Sequence, residues 1–138
     1  MSTPHETPWF DAAFEELYLE VYAHRDLAEA RRDVQALARR GLEGPFLDLG
    51  CGAGRHLSAA AEMGIVGVGV DRSSALLARA RGQGLTVTRG DLRSLPFASQ
   101  SFSALTCLFS SFGYFDEVGD LAQLRGARRV LRPGGSLW

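Results

Sequence analysis

The residues with the clearest chemical potential lie in the run Phe46 to Leu57: Asp48, Gly50, Cys51, Gly52, Gly54 and Arg55. Phe46, Leu47 and Leu49, interrupted by one acid, read as a short buried strand that ends in a glycine loop. The residues from Arg55 to Met63 then open a helix. Strand, glycine loop and helix together bring backbone N–H groups at a helix N-terminus close to a ligand. Glycines at 50, 52 and 54 let the chain turn sharply and leave no Cβ between backbone and ligand. Asp48 places negative charge beside that site, which repels a phosphate and favours an ammonium or a sulfonium. The spacing departs from the dinucleotide pattern G-x-G-x-x-G, because Arg55 stands where the third glycine belongs. A tight turn with no ligand is the plainer alternative for the glycines alone.

Other candidate residues fall at the ends of later strands. Asp71 closes an apolar stretch and offers a carboxylate to both hydroxyls of a ribose; capping the helix that starts near Ser73 is its structural alternative. Asp91 ends the next strand, where it accepts from an exocyclic amine such as that of adenine, or simply forms a Gly-Asp turn. Arg72 is placed to lay its side chain over the adenine ring, or to be solvated. His56 falls in the first turn of its helix, where a solvent-facing ring is the simpler expectation. Tyr114 lies near the same crevice and is as suited to packing as to chemistry.

These positions need a frame. Phe10, Phe14, Leu17 and Val21 recur at helical spacing, with Tyr18 and Tyr22 beside the stripe. A second helix is expected from Asp26 to Arg40, with Asp26 and Glu29 placed as a capping box and Gly41 as its stop. Strands are expected over 46–49, 65–70, 85–88 and 102–109, and helices over 74–81 and 120–131. Pro133-Gly134-Gly135 then stops the last helix, and Ser136 begins another strand. Strands alternating with helices imply a parallel sheet with right-handed crossovers and a ligand crevice outside the strands' carboxyl ends. The glycine loop, Asp71, Asp91 and the 109–113 segment all converge there.

The chain has 138 residues, 46% of them hydrophobic, and a formal net charge of −1, with arginine supplying all 15 basic residues. That is one domain with a real core, divided here into an N-terminal helical cap (1–44) and a core (45–138). A near-neutral charge gives no electrostatic case for nucleic acid. No apolar run approaches the roughly 18 residues of a membrane span, and no signal peptide is expected at the start of the chain. Two cysteines without metal spacing suit a reduced, cytoplasmic protein.

The motifs LDLGCGAGRHL, GVGVDRS, GDLRSLPF, SSFGYF and VLRPGG, in that order, resemble the class I S-adenosylmethionine-dependent methyltransferases over residues 46–138. The resemblance implies an α/β, Rossmann-like three-layer α/β/α sandwich with a mostly parallel sheet, truncated at its C-terminal edge. It implies S-adenosyl-L-methionine as cofactor and S-adenosyl-L-homocysteine as product. The first motif (Asp48, Gly50, Cys51, Gly52, Arg55) would surround the methionine part, Asp71 the ribose, Arg72, Asp91 and Leu92 the adenine, and Phe109 the methyl group. Tyr18 and Tyr22 would close over the cofactor. The pairing of GRH with FSSFGYF looks like the small-molecule branch, including amino-sugar N-methyltransferases.

The expected partner is therefore a small-molecule acceptor methylated at nitrogen or oxygen, with neither nucleic acid nor membrane involved. No general base and no metal ligand is assigned. Two rival readings are a nicotinamide-dependent oxidoreductase and a non-catalytic cofactor-binding module. Relatives of the resembled family carry further strands after the PGG turn, so an incomplete sheet edge and self-association through it are also expected.

Overall fold

The computed structural model describes Trp9, residues 27–108 and residues 112–138. From Leu27 onward the described residues run α1 (Leu27–Arg39), β1 (Phe46–Leu49), α2 (Arg55–Glu62), β2 (Gly67–Asp71), α3 (Ser74–Gly82), β3 (Val87–Arg89), β4 (Phe102–Thr106), α4 (Glu117–Val130) and β5 (Leu131–Leu137). The expected helix over 10–21, the Asp26 cap, Tyr18, Tyr22 and Phe109 lie outside the described residues.

The five strands form one sheet in the order β3-β2-β1-β4-β5, every pair parallel. Strand order therefore runs outward from β1 to β3 and then reverses through β4 to β5. The loops after β1 and β4 flank that switch point, where sheets of this kind hold their ligands. Alternation along β1 divides the core between two faces. Phe46 packs with Ala30 and Val34 of α1, Leu57 of α2 and Leu77 of α3. Leu47 and Leu49 pack on the other face with Ala127 and Val130 of α4, Phe102, Leu92 and Leu95. Helices thus cover both faces, as an all-parallel sheet requires.

Several boundaries differ from the sequence expectation, for identifiable reasons. Ile65 and Leu85 are apolar enough to read as strand residues, but their N–H groups close the preceding helices on Ala60 and Ala80 carbonyls at 2.9 and 3.2 Å. The strands β2 and β3 consequently start two residues later than expected. Helix α4 begins at Glu117 rather than near Asp120, because Asp116 Oδ1 accepts from Gly119 N–H at 2.8 Å and caps it. Leu131 is extended rather than helical and already pairs with Phe102, so β5 begins there and carries Pro133-Gly134-Gly135 within an irregular ladder.

Helix α2 lies unusually close to β2. A Cβ placed on Gly69 would stand 2.5 Å from Cys51 Sγ and 2.7 Å from Leu57 Cδ1. The glycine is therefore a packing requirement of the loop and helix above it. Gly69→Ala should destabilise the fold by roughly 1–3 kcal/mol through overpacking, read as a lower midpoint in urea. An unchanged midpoint would mean that α2 can shift outward without loss.

Candidate functional site

Because all the strands are parallel, the loops after β1, β2, β3 and β4 open on one edge of the sheet. The glycine loop is held there by backbone contacts first. Gly50 and Cys51 N–H groups both donate to the Val70 carbonyl, at 2.9 and 3.0 Å. Gly52, at φ +55°, turns its N–H onto Asp71 Oδ2 at 2.9 Å. The other oxygen of Asp71 accepts from Ser73 N–H at 2.8 Å. Asp71 is thus not the helix cap; Ser73 is, with its Oγ accepting from Leu76 N–H at 3.3 Å. Each Asp71 oxygen still has acceptor capacity for a hydroxyl. Burial raises the Asp71 pKa, and the backbone N–H groups of Ser73 and Gly52 work against that rise.

Asp48 occupies a different environment from the one its position at a strand end suggests. Its side chain is 3% exposed and accepts from Thr106 Oγ1 of β4 at 2.7 Å. Burial pushes its carboxyl up to about 6, against the pull of His56, the Thr106 hydroxyl and Arg55. His56 is likewise buried, not solvent-facing: its Nε2 lies 2.9 Å from Asp33 Oδ2 of α1. Arg55 turns toward α1 as well, with Nη1 3.3 Å from Glu29 Oε2. The Cys51 thiol is buried against β2, and that burial raises its pKa well above the ordinary thiol range.

The third carboxylate closes the row. Gly90 N–H donates to the Asp71 carbonyl at 3.0 Å, which sets Asp91 beside Asp71. Asp91 takes a two-pronged contact from Arg93 and a longer one, 3.4 Å, from Arg72 Nη1. Arg93 lowers the Asp91 pKa below the ordinary carboxylate value. The Leu92 side chain is buried in the α4-side core. Tyr114 stacks at a tilt on Trp9, ring centroids 5.4 Å apart. The structure thus brings Gly50, Cys51, Gly52, Asp71, Arg72 and Asp91 together at one edge of the sheet, and turns Arg55 and His56 onto α1. Sequence reasoning missed Arg93 and Thr106; a guanidinium two residues after an acid is the only signal that pointed to the first.

The acceptor set suits a ligand with hydroxyls and an amine. Two carboxylates, Asp71 and Asp91, stand beside a loop whose only side chains are the small ones of Cys51 and Ala53. Among the described residues no group of His, Cys, Asp and Glu could hold a metal ion, and no helix is long and apolar enough to cross a membrane.

Residues 46–135 match the methyltransferase-domain family. This chain belongs to that family. A demethylmenaquinone methyltransferase of Mycobacterium sp. (strain JLS) is 36% identical over 107 residues, covering 78% of this chain and 45% of its own length. A dTDP-3-amino-3,6-dideoxy-alpha-D-glucopyranose N,N-dimethyltransferase of Streptomyces fradiae is 35% identical over 117 residues, covering 80% and 44%. The chain spans less than half the length of these two relatives. The glycopeptide N-methyltransferase MtfA, solved with S-adenosyl-L-methionine, shares the fold: TM-score 0.68 at 24% identity, over 81% of this chain and 48% of that one. The α/β Rossmann-like architecture expected from the sequence is thus that of the methyltransferase domains.

Burial of Asp48 has a measurable consequence. A carboxyl with a folded pKa raised to about 6 holds its proton more tightly in the folded state than in the unfolded one. The stability this contributes is full below the ordinary carboxylate range and lost as pH rises through about 6. Asp48→Asn should therefore be more stable than the parent at pH 8, by up to about 3 kcal/mol, with the advantage gone near pH 4. Urea unfolding at the two pH values checks this; equal stability at both would place the carboxylate in a solvated setting.

Proposed function

We propose that this chain carries the S-adenosyl-L-methionine-binding part of an enzyme that methylates a small-molecule acceptor at nitrogen or oxygen. The observation behind the reading is the row of carboxylates within β1 (Asp48), at the end of β2 (Asp71) and just past β3 (Asp91), beside a glycine loop tied to Asp71. The names of the methyltransferase relatives support it.

On this reading Asp71 accepts from the two ribose hydroxyls while keeping its backbone donors. Asp91 accepts from the adenine amine, Leu92 lines the ring through its backbone, and Arg72 lies against the ring. Gly50, Cys51 and Gly52 leave room for the methionine part. Asp48 acts on its ammonium from beneath the loop, through field rather than open contact, because it is buried and bonded to Thr106. Arg55 serves the cofactor indirectly, by fixing the start of α2 against α1. Phe109, Tyr18 and Tyr22 keep their proposed places at the methyl group and over the cofactor, and residues 1–44 their proposed role as a cap. A cytoplasmic location, suited to the free thiols Cys51 and Cys107, belongs to the same proposal.

When bound, the cofactor supplies a methyl group on a sulfonium, already activated for transfer. The task left to the chain is to hold that group in line with an acceptor atom and to keep water out. Asp71 and the glycine loop are suited to it because they are rigidly joined. The nicotinamide alternative fares worse: Arg55 replaces the third glycine, and the carboxylates oppose a pyrophosphate.

S-adenosylhomocysteine should raise the melting temperature of the protein, since a ligand that binds only the folded state stabilises it by mass action. NAD should leave it unchanged. Stabilisation by NAD with indifference to S-adenosylhomocysteine would overturn the reading.

Asp71→Ala should weaken S-adenosylhomocysteine binding roughly 10- to 150-fold, the value of charge-assisted hydrogen bonds of about 1.5–3 kcal/mol. Asp71→Asn, which keeps one carbonyl acceptor, should lose less. Calorimetric titration of both variants measures this, and unchanged affinity would reduce Asp71 to a brace for the loop.

A further inference from the structure

Asp91 does not stand open at the end of β3. Its Oδ1 accepts from the Arg93 backbone N–H at 2.9 Å and from Arg93 Nε at 3.0 Å. Its Oδ2 accepts from Arg93 Nη2 at 2.7 Å and from Arg72 Nη1 at 3.4 Å. A carboxylate offers about four lone-pair sites, so the donors already present fill it. An incoming amine can bind there only by displacing one of them. The backbone N–H cannot leave without undoing the Asp91–Ser94 turn, which Ser94 N–H closes on the Asp91 carbonyl at 2.9 Å. What can leave is the Arg93 fork or the weaker Arg72 contact.

Arg93 also has somewhere else to rest. Its guanidinium carbon lies 4.5 Å from the centroid of the Phe115 ring. Phe115 belongs to the segment between β4 and α4, just before the Asp116 cap. The Arg93 side chain is 40% exposed and that of Asp91 32%, and ion pairs this accessible are released cheaply. The ring face retains a cation after the carboxylate has let it go.

We propose that Arg93 is a positioning residue that guards Asp91, competing with the exocyclic amine of adenine for the carboxylate and thereby setting affinity and base selectivity at this subsite. The inference rests on the reading of Asp91 as the adenine subsite. It has a chemical corollary. A guanidinium over the site donates hydrogen bonds, so it also accommodates a purine with a carbonyl in place of the amine. A bare carboxylate only accepts, so it is unfavourable opposite that carbonyl. Arg93 therefore blunts the discrimination that Asp91 alone would make.

The test is calorimetric titration with two ligands, S-adenosylhomocysteine and S-inosylhomocysteine; in the second a carbonyl replaces the exocyclic amine and N1 carries a proton. Arg93→Ala should bind S-adenosylhomocysteine roughly 3- to 10-fold more tightly and S-inosylhomocysteine more weakly, widening the ratio between them. Arg93→Met, which keeps an apolar stem over Phe115 and has no donor, should widen it in the same sense and guards against a loss of fold in the alanine variant. Arg93→Lys, which keeps the charge without the fork, should fall between the parent and Arg93→Ala. Asp91→Asn separates the two layers of the argument. If it leaves S-adenosylhomocysteine affinity unchanged, or if the parent binds neither ligand, Asp91 is not the adenine subsite and both readings fall. If it weakens binding while both neutral Arg93 variants leave the ratio unaltered, only the guarding role is overturned.

Discussion

The crevice depends on one carboxylate placed between two backbone segments. Asp71 takes the Gly52 N–H on one oxygen and the Ser73 N–H on the other, at 2.9 and 2.8 Å. The first donor belongs to the loop after β1 and the second to the turn after β2. A single side chain thus fixes the spacing between two neighbouring loops of the sheet. Hydrogen bonds to an ionised acceptor are stronger than neutral ones, and here they compete with burial, which alone would favour the protonated acid. The glycine loop gains rigidity from this contact that its own sequence works against, since glycine is the residue with most backbone freedom to lose.

The three carboxylates near the strand ends show how far environment separates groups of one chemistry. Asp48 is inside the sheet, where it accepts from the Thr106 hydroxyl, and burial raises its pKa to about 6. Asp71 is largely buried but held by backbone donors. Asp91 lies at the surface, and Arg93 pulls its pKa down. The row is therefore graded, from a carboxyl near its midpoint at mildly acidic pH to one firmly ionised. Such a gradient lets field act from the buried end and direct hydrogen bonding from the exposed end.

A second set of contacts ties α1 to the same centre. Arg31 meets Glu62 with two prongs at 2.7 and 2.8 Å, Asp33 meets His56, and Glu29 meets Arg55. The Arg31 pair is exposed on both sides, where water and salt screen it. His56 matters more for geometry, since it is buried in the first turn after the glycine loop. The face of α1 that carries Ala30 and Val34 packs in the same cluster as Phe46 and Leu57. Through these contacts the orientation of α1 and the start of α2 are set together.

Much of the architecture was legible from residues 46–138 because it rests on local rules. The alternation of apolar strands with amphipathic helices dictates parallel crossovers, glycines dictate the turns at 41 and 64, and a motif order shared with methyltransferase domains dictates which loops meet. Boundaries were less legible where one N–H had two possible uses, as at Ile65 and Leu85. Side-chain roles were least legible of all. Asp48 at the end of a strand reads as an open charge, His56 at a helix start as a solvated ring, and Arg55 as a loop-facing cation. What decides their environments is the approach of β4 with Thr106 and of α1 with Asp33 and Glu29, elements distant in the chain. Sequence by itself determined the fold and the edge on which the crevice opens, since both follow from periodicity and the direction of each strand. Only tertiary structure decided which charges the crevice exposes, because burial and hydrogen bonding belong to neighbours that no local pattern names.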